Sequence, residues 1–150
     1  MIHVYRLEYI GDEERLGPFA ANDAGVAVRC GHTLDDVLDA VKRSGHLAPV
    51  PDGCRHPAGG DRCGCRSMAE LRTWFPRMGA LLAAGDFAVV RYELAAAHVS
   101  HGGLQCVFRL ADAVGRYVVP DADAISYALS GRGRETSPAH EKSLQFDLTT

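Results

Sequence analysis

The residues whose types and spacing could support chemistry are concentrated in one segment rich in cysteine and histidine. Four of the five cysteines lie between residues 30 and 65, and histidines stand among them. Thiolate sulfur and imidazole nitrogen are the donors that Zn²⁺ prefers, usually four of them in a tetrahedron. The sequence therefore predicts a structural zinc site with four ligands: Cys54, His56, Cys63 and Cys65.

The spacing of these ligands leaves alternatives open. They stand in two pairs with a single residue between the members of each, whereas zinc folds usually have two. Gly64, inside the second pair, would permit the tight turn that this spacing requires. Cys30 and His32 could replace Cys54 and His56, which would tie an earlier segment to the loop. The simpler alternative is a loop whose cysteines bind nothing.

The remaining cysteine and the N-terminus bear on the compartment. Cys106 stands alone in an apolar stretch, so we expect a buried thiol. The first residues lack the basic and then apolar segments of a signal peptide. No apolar run approaches the roughly 20 residues that span a bilayer. We therefore expect a cytoplasmic protein with no membrane partner, in which clustered thiols serve as ligands rather than as disulfides.

Length and charge limit the function classes. The chain has 150 residues, 47% hydrophobic and 23% charged, which suits one soluble domain with a core. Its net charge of −3 provides no global positive field that would attract nucleic acid. A protein partner is therefore favoured over nucleic acid. A zinc-stabilised nucleic-acid-binding protein stays an alternative because the C-terminal region contains a small basic group: Arg132, Arg134, His140 and Lys142.

Three segments have the β-branched and aromatic content of strands: residues 2–10, 86–94 and 104–110. The turn-forming residues 100–103 between the last two predict that these form an antiparallel hairpin. We expect this hairpin at the centre of the sheet, flanked by the first segment. Shorter strands are predicted at residues 25–30, 115–119 and 144–148.

Capping residues and apolar periodicity predict two main helices. Thr33 is a favourable N-cap for a helix that ends at Gly45. The apolar residues of this helix follow the spacing of one buried face: Leu34, Val37, Leu38 and Val41. Ser67 and Glu70 form a capping box at the start of the second helix. Its apolar face contains Leu71, Trp74 and Phe75, and a short further helix is predicted at residues 121–129.

The order strand, helix, helix, strand, strand predicts an α+β fold. We expect a small antiparallel sheet with two or three helices packed on one face. Residues 1–130 are expected to form this single domain, with a long loop containing cysteine and histidine at residues 46–66. Residues 131–150 are expected to be a mobile or loosely docked tail.

Several phrases of the chain resemble a group of small, uncharacterised proteins common in actinobacteria and their phages. The phrases are Val4 to Glu8, Gly17 to Phe19, His46 to Gly53, Arg62 to Gly64, Ser67 to Phe75, Val89 to Leu94 and Gln105 to Phe108. The resemblance implies a phage-linked accessory role, such as action against a host defence system, and transfers no catalytic residue. The segment from Cys54 to His56 is an extension within the group's shared loop, so similar proteins would lack this zinc site.

An enzyme is the alternative from another class. Tyr5 and Arg6 on the first strand resemble the start of the NAD pocket of ADP-ribosyltransferases, which also needs a late glutamate. Glu135 is available, although its context rich in Gly and Arg is unlike that site. Cys63 precedes a helix N-terminus, but the sequence assigns it no histidine partner.

No catalytic set is assembled along the sequence, so we expect a protein-binding module rather than an enzyme. A deep pocket lined by Tyr5 and Arg6 would favour an enzyme that uses NAD or another nucleotide. A flat, exposed apolar patch would favour the module.

Overall fold

The computed structural model describes residues 1–11, 14–25, 33–44, 54–55 and 57–120. The strands in these ranges are β1 (Ile2–Tyr9), β2 (Asp61–Cys65), β3 (Phe87–Leu94), β4 (Val99–His101), β5 (Gln105–Arg109) and β6 (Gly115–Val118). The helices are α1 (Pro18–Asp23), α2 (Thr33–Arg43), α3 (Met68–Trp74) and α4 (Met78–Ala84). The predicted α+β class is confirmed.

The six strands form one sheet in the order β4-β5-β2-β1-β3-β6, and each neighbouring pair is antiparallel. The prediction that β3 and β5 form a central hairpin is wrong, because β2 and β1 lie between them. The predicted turn closes a shorter hairpin, since Val99–His101 is itself a strand and the Gly102 N–H donates to the Gln105 carbonyl (2.8 Å). β1, predicted at the flank, is central and pairs with β3 along its whole length.

Strand β2 corrects the predicted loop at residues 46–66. Residues 61–65 pair with β5 on one side, and Cys65 pairs with Tyr5 of β1 on the other. Their sequence, Asp-Arg-Cys-Gly-Cys, has little β-propensity, so the neighbouring strands decide its conformation. Gly64 allows the close approach to β1, because a Cβ there would lie 2.8 Å from the Tyr5 carbonyl oxygen and against the Val4 side chain.

One face of the sheet, called the helix side below, carries Tyr5, Leu7 and Cys65 and packs against the helices. Helix α2 buries the predicted residues Leu34, Val37, Leu38 and Val41. Helix α3 has the predicted N-cap, since Ser67 Oγ accepts a hydrogen bond from the Glu70 N–H (3.1 Å). Its apolar residues Leu71, Trp74 and Phe75 belong to the same core. The helix side thus confirms the prediction of helices on one face.

The opposite face, called the far side below, has a separate apolar cluster contributed by strands. Val4, Val90, Cys106 and Phe108 are buried there, and the Tyr92 ring centroid lies 5.1 Å from that of Phe108. The expectation that Cys106 is buried is therefore confirmed.

Some predictions lie outside the described residues and stay predictions. They are the strands at residues 25–30 and 144–148, the helix at residues 121–129 and the tail at residues 131–150. By contrast, the predicted short strand at residues 115–119 corresponds to β6 (Gly115–Val118), the edge strand next to β3. Helix α1 was not predicted from the sequence. Pro18 starts that helix, where its missing N–H costs nothing.

Candidate functional site

A cavity of about 280 Å³ lies among β1, β2, α1 and α3. Much of its wall is apolar: Leu7, Leu16, Phe19, Leu71, Trp74 and Phe75. Sites for drug-sized ligands typically measure ~300–1,000 Å³, so this cavity fits one bulky apolar group and is small for a dinucleotide.

The two sides of the cavity are positioned by separate local structures. On one side, the Tyr9 N–H donates to the Leu16 carbonyl (2.8 Å), which ties the segment before α1 to the end of β1. Pro18 then starts α1, which brings Phe19 to the wall. On the other side, the Ser67 cap fixes the start of α3, which carries Leu71 and Trp74.

Arg6 closes the gap between β1 and β2 at the cavity. Alternation along β1 places it on the far side, together with Val4. Its guanidinium donates from Nη1 to the Cys63 carbonyl (2.6 Å) and from Nη2 to the Arg15 carbonyl (2.9 Å). Its Nε donates to Glu8 (2.9 Å). Arg6 is 5% exposed, so its charge is directed at these protein groups and is not presented to a ligand.

Glu8 is the anion that balances this buried arginine. It is fully buried on the far side, and its Oε2 accepts hydrogen bonds from Arg6 Nε and from the Tyr92 hydroxyl (2.5 Å). Its Oε1 accepts from Arg116 Nη2 (2.8 Å). A buried carboxylate with three donors is structurally satisfied.

The pKa values of this network follow from the same contacts. Burial by itself would raise the pKa of the Glu8 carboxyl, but the charge of Arg6 and the hydrogen bonds from Tyr92, Arg116 and Arg6 bring it below the ordinary value of 4.5. Burial and then the neighbouring Glu8 carboxylate raise the pKa of the Tyr92 hydroxyl. At neutral pH the network therefore holds one carboxylate, two guanidinium groups and a neutral phenol.

Basic residues border the cavity. Arg15 and Arg62 are half-buried lining residues. Arg62 donates to the backbone carbonyls of Asp61 (2.9 Å) and Glu14 (3.1 Å). Arg15 has a φ of +58°, a left-handed conformation that is costly for a residue with a Cβ. The Arg15 carbonyl accepts a hydrogen bond from Arg6, so the backbone in this conformation forms part of the cavity wall.

A strap of residues 54–55 and 57–61 lies beside the cavity, and Pro57 and Asp61 line it. The Asp61 carboxylate accepts two hydrogen bonds from Arg55 (2.6 and 3.2 Å) and one from the Ala58 N–H (2.9 Å). The Arg55 hydrogen bonds hold the pKa of Asp61 below its ordinary value, against the effect of burial. The Arg55 N–H also donates to Ser100 Oγ (2.9 Å) on β4. The charge of the Asp61 carboxylate is therefore already balanced by the Arg55 guanidinium.

The described cysteines of the predicted zinc set occupy different environments. Cys54 and Cys63 are half-buried, and Cys63 lines the cavity. Burial raises the pKa of the Cys63 thiol, and the charge of Arg6 opposes this effect only in part. Cys65 also lines the cavity, but it is 1% exposed within the helix-side core. These surroundings do not activate Cys63 as a nucleophile.

The other predicted ligands, His56, Cys30 and His32, lie outside the described residues. Among the residues that are described, no three side chains of Cys, His, Asp or Glu form a metal-binding group. Zinc binding by Cys54, His56, Cys63 and Cys65 therefore stays a prediction. The fifth cysteine, Cys106, is distinct, since burial raises the pKa of its thiol to about 12.

The residues of the predicted enzyme pocket are not brought together as an NAD site requires. Tyr5 is a core residue of the helix side and does not line the cavity. Arg6 lines it but is bonded to Glu8 and to two backbone carbonyls. Glu135 lies outside the described residues. The contacts of Arg6 match the simpler interpretation of an arginine paired with an acid on an ordinary strand.

The cavity itself was not predicted from the sequence. Its apolar walls come from α3, which was predicted, and from the segment around Leu16 and Phe19, which was not. A Pro at the first helical position followed by Phe19 was the available signal. Nothing in the local sequence indicated that this segment lies near β2.

Comparison with known proteins gives one family. A family model described as Bacteriophage T4 Y00F protein matches residues 1–120. No curated protein and no solved structure matches the chain. The family match agrees with the phage-linked character that the sequence phrases implied. Within the described ranges, no helix is long and apolar enough to span a bilayer.

Proposed function

The chain belongs to the Bacteriophage T4 Y00F protein family, and we propose that it is a phage-linked accessory module that binds a partner protein through the cavity among β1, β2, α1 and α3. The observation that carries this proposal is a concave, mainly apolar site beside groups that already have partners. Such a site can bind an apolar side chain without catalysing a reaction.

The contacts of the buried polar groups support binding over catalysis. Glu8 and Asp61 accept hydrogen bonds from arginines, and Arg6 donates to protein groups. A general base or acid needs a pKa near the working pH, whereas both carboxyls have lowered pKa values. A flat apolar patch was expected of a binding module, and a pocket lined by Tyr5 and Arg6 was expected of an enzyme. The structure has a pocket, but Tyr5 does not line it. An enzyme that uses NAD is therefore the less favoured function.

Blocking the cavity tests the proposal. Ala20 lines its mouth from α1 and is exposed, so Ala20→Phe should fill the entrance with little cost to folding. Ala80→Phe adds the same group to an exposed site on α4 that does not line the cavity. Immobilised wild-type protein and both variants would be incubated with a lysate of phage-infected bacteria, and the retained proteins quantified by mass spectrometry.

We expect the wild type and Ala80→Phe to retain the same partner and Ala20→Phe to retain at least about tenfold less. Melting temperatures of the three proteins should agree, which separates blocked binding from unfolding. Equal retention by Ala20→Phe and the wild type would contradict a role for the cavity.

We further propose that zinc stabilises the strap beside the cavity, in a protein that works in the cytoplasm, where thiols stay reduced. The thiolate donors of Cys54, Cys63 and Cys65 are of the type that zinc prefers, and Cys63 and Cys65 lie two residues apart on β2, where both line the cavity. Purified protein should contain about one zinc per chain, as a single four-ligand site requires.

Thiol labelling gives the matched control for zinc. Cys54 and Cys63 should react quickly only after chelation, because thiolates that ligate zinc are protected. Cys106 should stay unreactive with or without chelator while the protein is folded, since its thiol is fully buried. Absence of zinc from protein grown with excess metal, together with labelling unchanged by chelation, would end this proposal. Action against a host defence system is the biological role we propose, and the identity of the retained partner tests it.

A further inference from the structure

We infer that the partner segment bound in the cavity is an acidic peptide that inserts one bulky apolar side chain and pairs its carboxylates with Arg15 and Arg62. This inference rests on the proposed function and specifies the chemistry of its partner. It depends on the charges around the cavity, on the contacts of the two arginines and on the apolar walls.

The charged residues that line the cavity are mostly basic. Among the described residues they are Arg6, Arg15, Arg62 and the acid Asp61; since Arg6 is paired with Glu8, the uncompensated charges are those of Arg15 and Arg62. Asp61 is already neutralised by Arg55 through two hydrogen bonds. The whole chain carries a net charge of −3, so this basic border differs in sign from the protein as a whole. A local positive field of this kind attracts anionic groups and repels basic ones.

The guanidinium groups of Arg15 and Arg62 have capacity for a ligand. In the part of the chain that the structure describes, neither forms an ion pair with a carboxylate. Arg62 is held in place by two backbone carbonyls, those of Asp61 and Glu14, which leave its charge uncompensated. Each guanidinium has five N–H donors in a fork that matches a carboxylate. A positioned arginine with spare donors is suited to recognise a carboxylate.

The backbone at Arg15 supports a binding role for this position. Its φ of +58° costs free energy that glycine or asparagine would largely avoid. The chain nevertheless has a long cationic residue there, next to the apolar wall formed by Leu16 and Phe19. Strained residues of this kind are concentrated at binding sites, where the surrounding structure holds them.

The cavity selects the apolar part of the same peptide. Its volume of about 280 Å³ accommodates one large side chain, and its wall includes the half-buried Leu16 and Phe19 together with Phe75. In protein interfaces a bulky side chain buried in a pocket usually provides most of the affinity, and charged residues at the rim steer the association. A nucleotide base is less suited, because its polar edge would meet these apolar side chains.

The experiment measures binding of fluorescent peptides by anisotropy. The probe is a short peptide with one Trp between flanks of Glu, and its controls have Gln in place of Glu or Ala in place of Trp. The proteins are the wild type, Arg15→Gln, Arg15→Gln/Arg62→Gln and the charge-matched Arg43→Gln/Arg77→Gln. Arg43 and Arg77 are exposed and do not line the cavity. Arg15→Gln alone keeps the test valid if loss of the Arg62 contacts impairs folding.

We expect the Glu probe to bind the wild type and the Arg43→Gln/Arg77→Gln variant, and to bind the Arg15→Gln/Arg62→Gln variant at least about tenfold more weakly. The Gln and Ala peptides should also lose about tenfold, and added salt should weaken only the Glu probe. Equal binding of the Glu and Gln peptides, or unchanged binding by the double variant, would overturn the acidic assignment.

The outcomes separate this inference from the proposed function. If Ala20→Phe abolishes capture of the partner but the Glu probe does not bind, the cavity binds a different chemistry and only this inference fails. If capture is indifferent to Ala20→Phe, the proposed function fails. A small apolar compound that copurifies in the cavity, detected by native mass spectrometry, would overturn the peptide as occupant.

Discussion

The two faces of the sheet are stabilised by different chemistry. On the helix side, the core cluster consists of apolar and aromatic side chains such as Leu34, Leu71 and Trp74. On the far side, the buried carboxylate of Glu8 lies close to the apolar cluster and accepts hydrogen bonds from Tyr92 and two arginines. Truncating an apolar core side chain lowers the free energy of unfolding by an amount that grows with the volume removed. Removing the partner of a buried charge is strongly destabilising, because the remaining charge is uncompensated.

The largest expected effect is that of Glu8→Gln. The substitution keeps the side-chain volume but leaves Arg6, which is 5% exposed, without its anion. Removing one partner of a buried ion pair typically costs about 3–5 kcal/mol. Urea denaturation at pH 7 measures this loss. Arg66→Gln, which breaks a surface pair with Glu70, is the control and should cost less than about 1 kcal/mol.

The same carboxylate predicts how stability depends on pH. The pKa of Glu8 is lowered in the folded protein from an ordinary value of 4.5, so the folded state binds this proton less readily than the unfolded state. Its contribution is therefore complete above the unfolded pKa and is lost as the pH falls through the folded pKa. The advantage of the wild type over Glu8→Gln should therefore begin to fall below about pH 4.5 and should decrease further as the pH is lowered. A constant difference between the two proteins from pH 7 to pH 3 would contradict this assignment.

On the helix side, Leu71→Ala should cost about 2–5 kcal/mol, because it removes a buried side chain from both the core and the cavity wall. Unlike Glu8→Gln, it should lower stability by a similar amount at pH 7 and pH 4. Leu82→Ala, at a half-buried position on α4, is the matched control and should cost less. A strong pH dependence for Leu71→Ala would show that the two faces are not independent.

Tyr92→Phe tests the far-side network without changing its packing. The ring stays against Phe108, and only the hydroxyl that donates to Glu8 is lost. Hydrogen bonds to charged groups typically contribute about 1.5–3 kcal/mol. With one donor fewer, the folded-state pKa of Glu8 should rise, so acid unfolding should begin at a higher pH than in the wild type. Unchanged acid unfolding would mean that Tyr92 contributes by packing alone.

The difference between the faces also explains what the sequence could predict. The helices of the helix side have local signals, such as the Ser67 cap and the apolar spacing of α2, and both predictions are confirmed. The far-side network joins residues far apart along the chain, since 108 positions separate Glu8 from Arg116. Nothing in the local sequence around either residue indicates that they meet.

Strand β2 shows the same limit at the candidate site. This segment was predicted to be part of a loop whose cysteines bind zinc, because Asp61–Cys65 lacks the residues typical of strands. Pairing with β5 and β1 overrides that propensity, and Gly64 is required by the close approach of β1 rather than by a turn. The cysteine types were visible in the sequence, but the burial of Cys65 and the cavity beside it depend on long-range pairing.

The smallest effect tests a stabilising interaction that was predicted from the sequence alone. Ser67→Ala removes the hydroxyl oxygen that accepts from the Glu70 N–H, so one N–H at the start of α3 loses its partner. Loss of an N-cap typically costs about 0.5–2 kcal/mol, which thermal and urea unfolding can resolve. Ser67→Asp keeps an acceptor and places a negative charge at the helix start, so it should restore most of the loss. Since Ser67 has no part in the Glu8 network, the cost of Ser67→Ala should be the same at pH 7 and pH 4. A melting temperature unchanged by Ser67→Ala, or a failure of Ser67→Asp to restore it, would mean that packing of Leu71 and Trp74 alone fixes the start of α3.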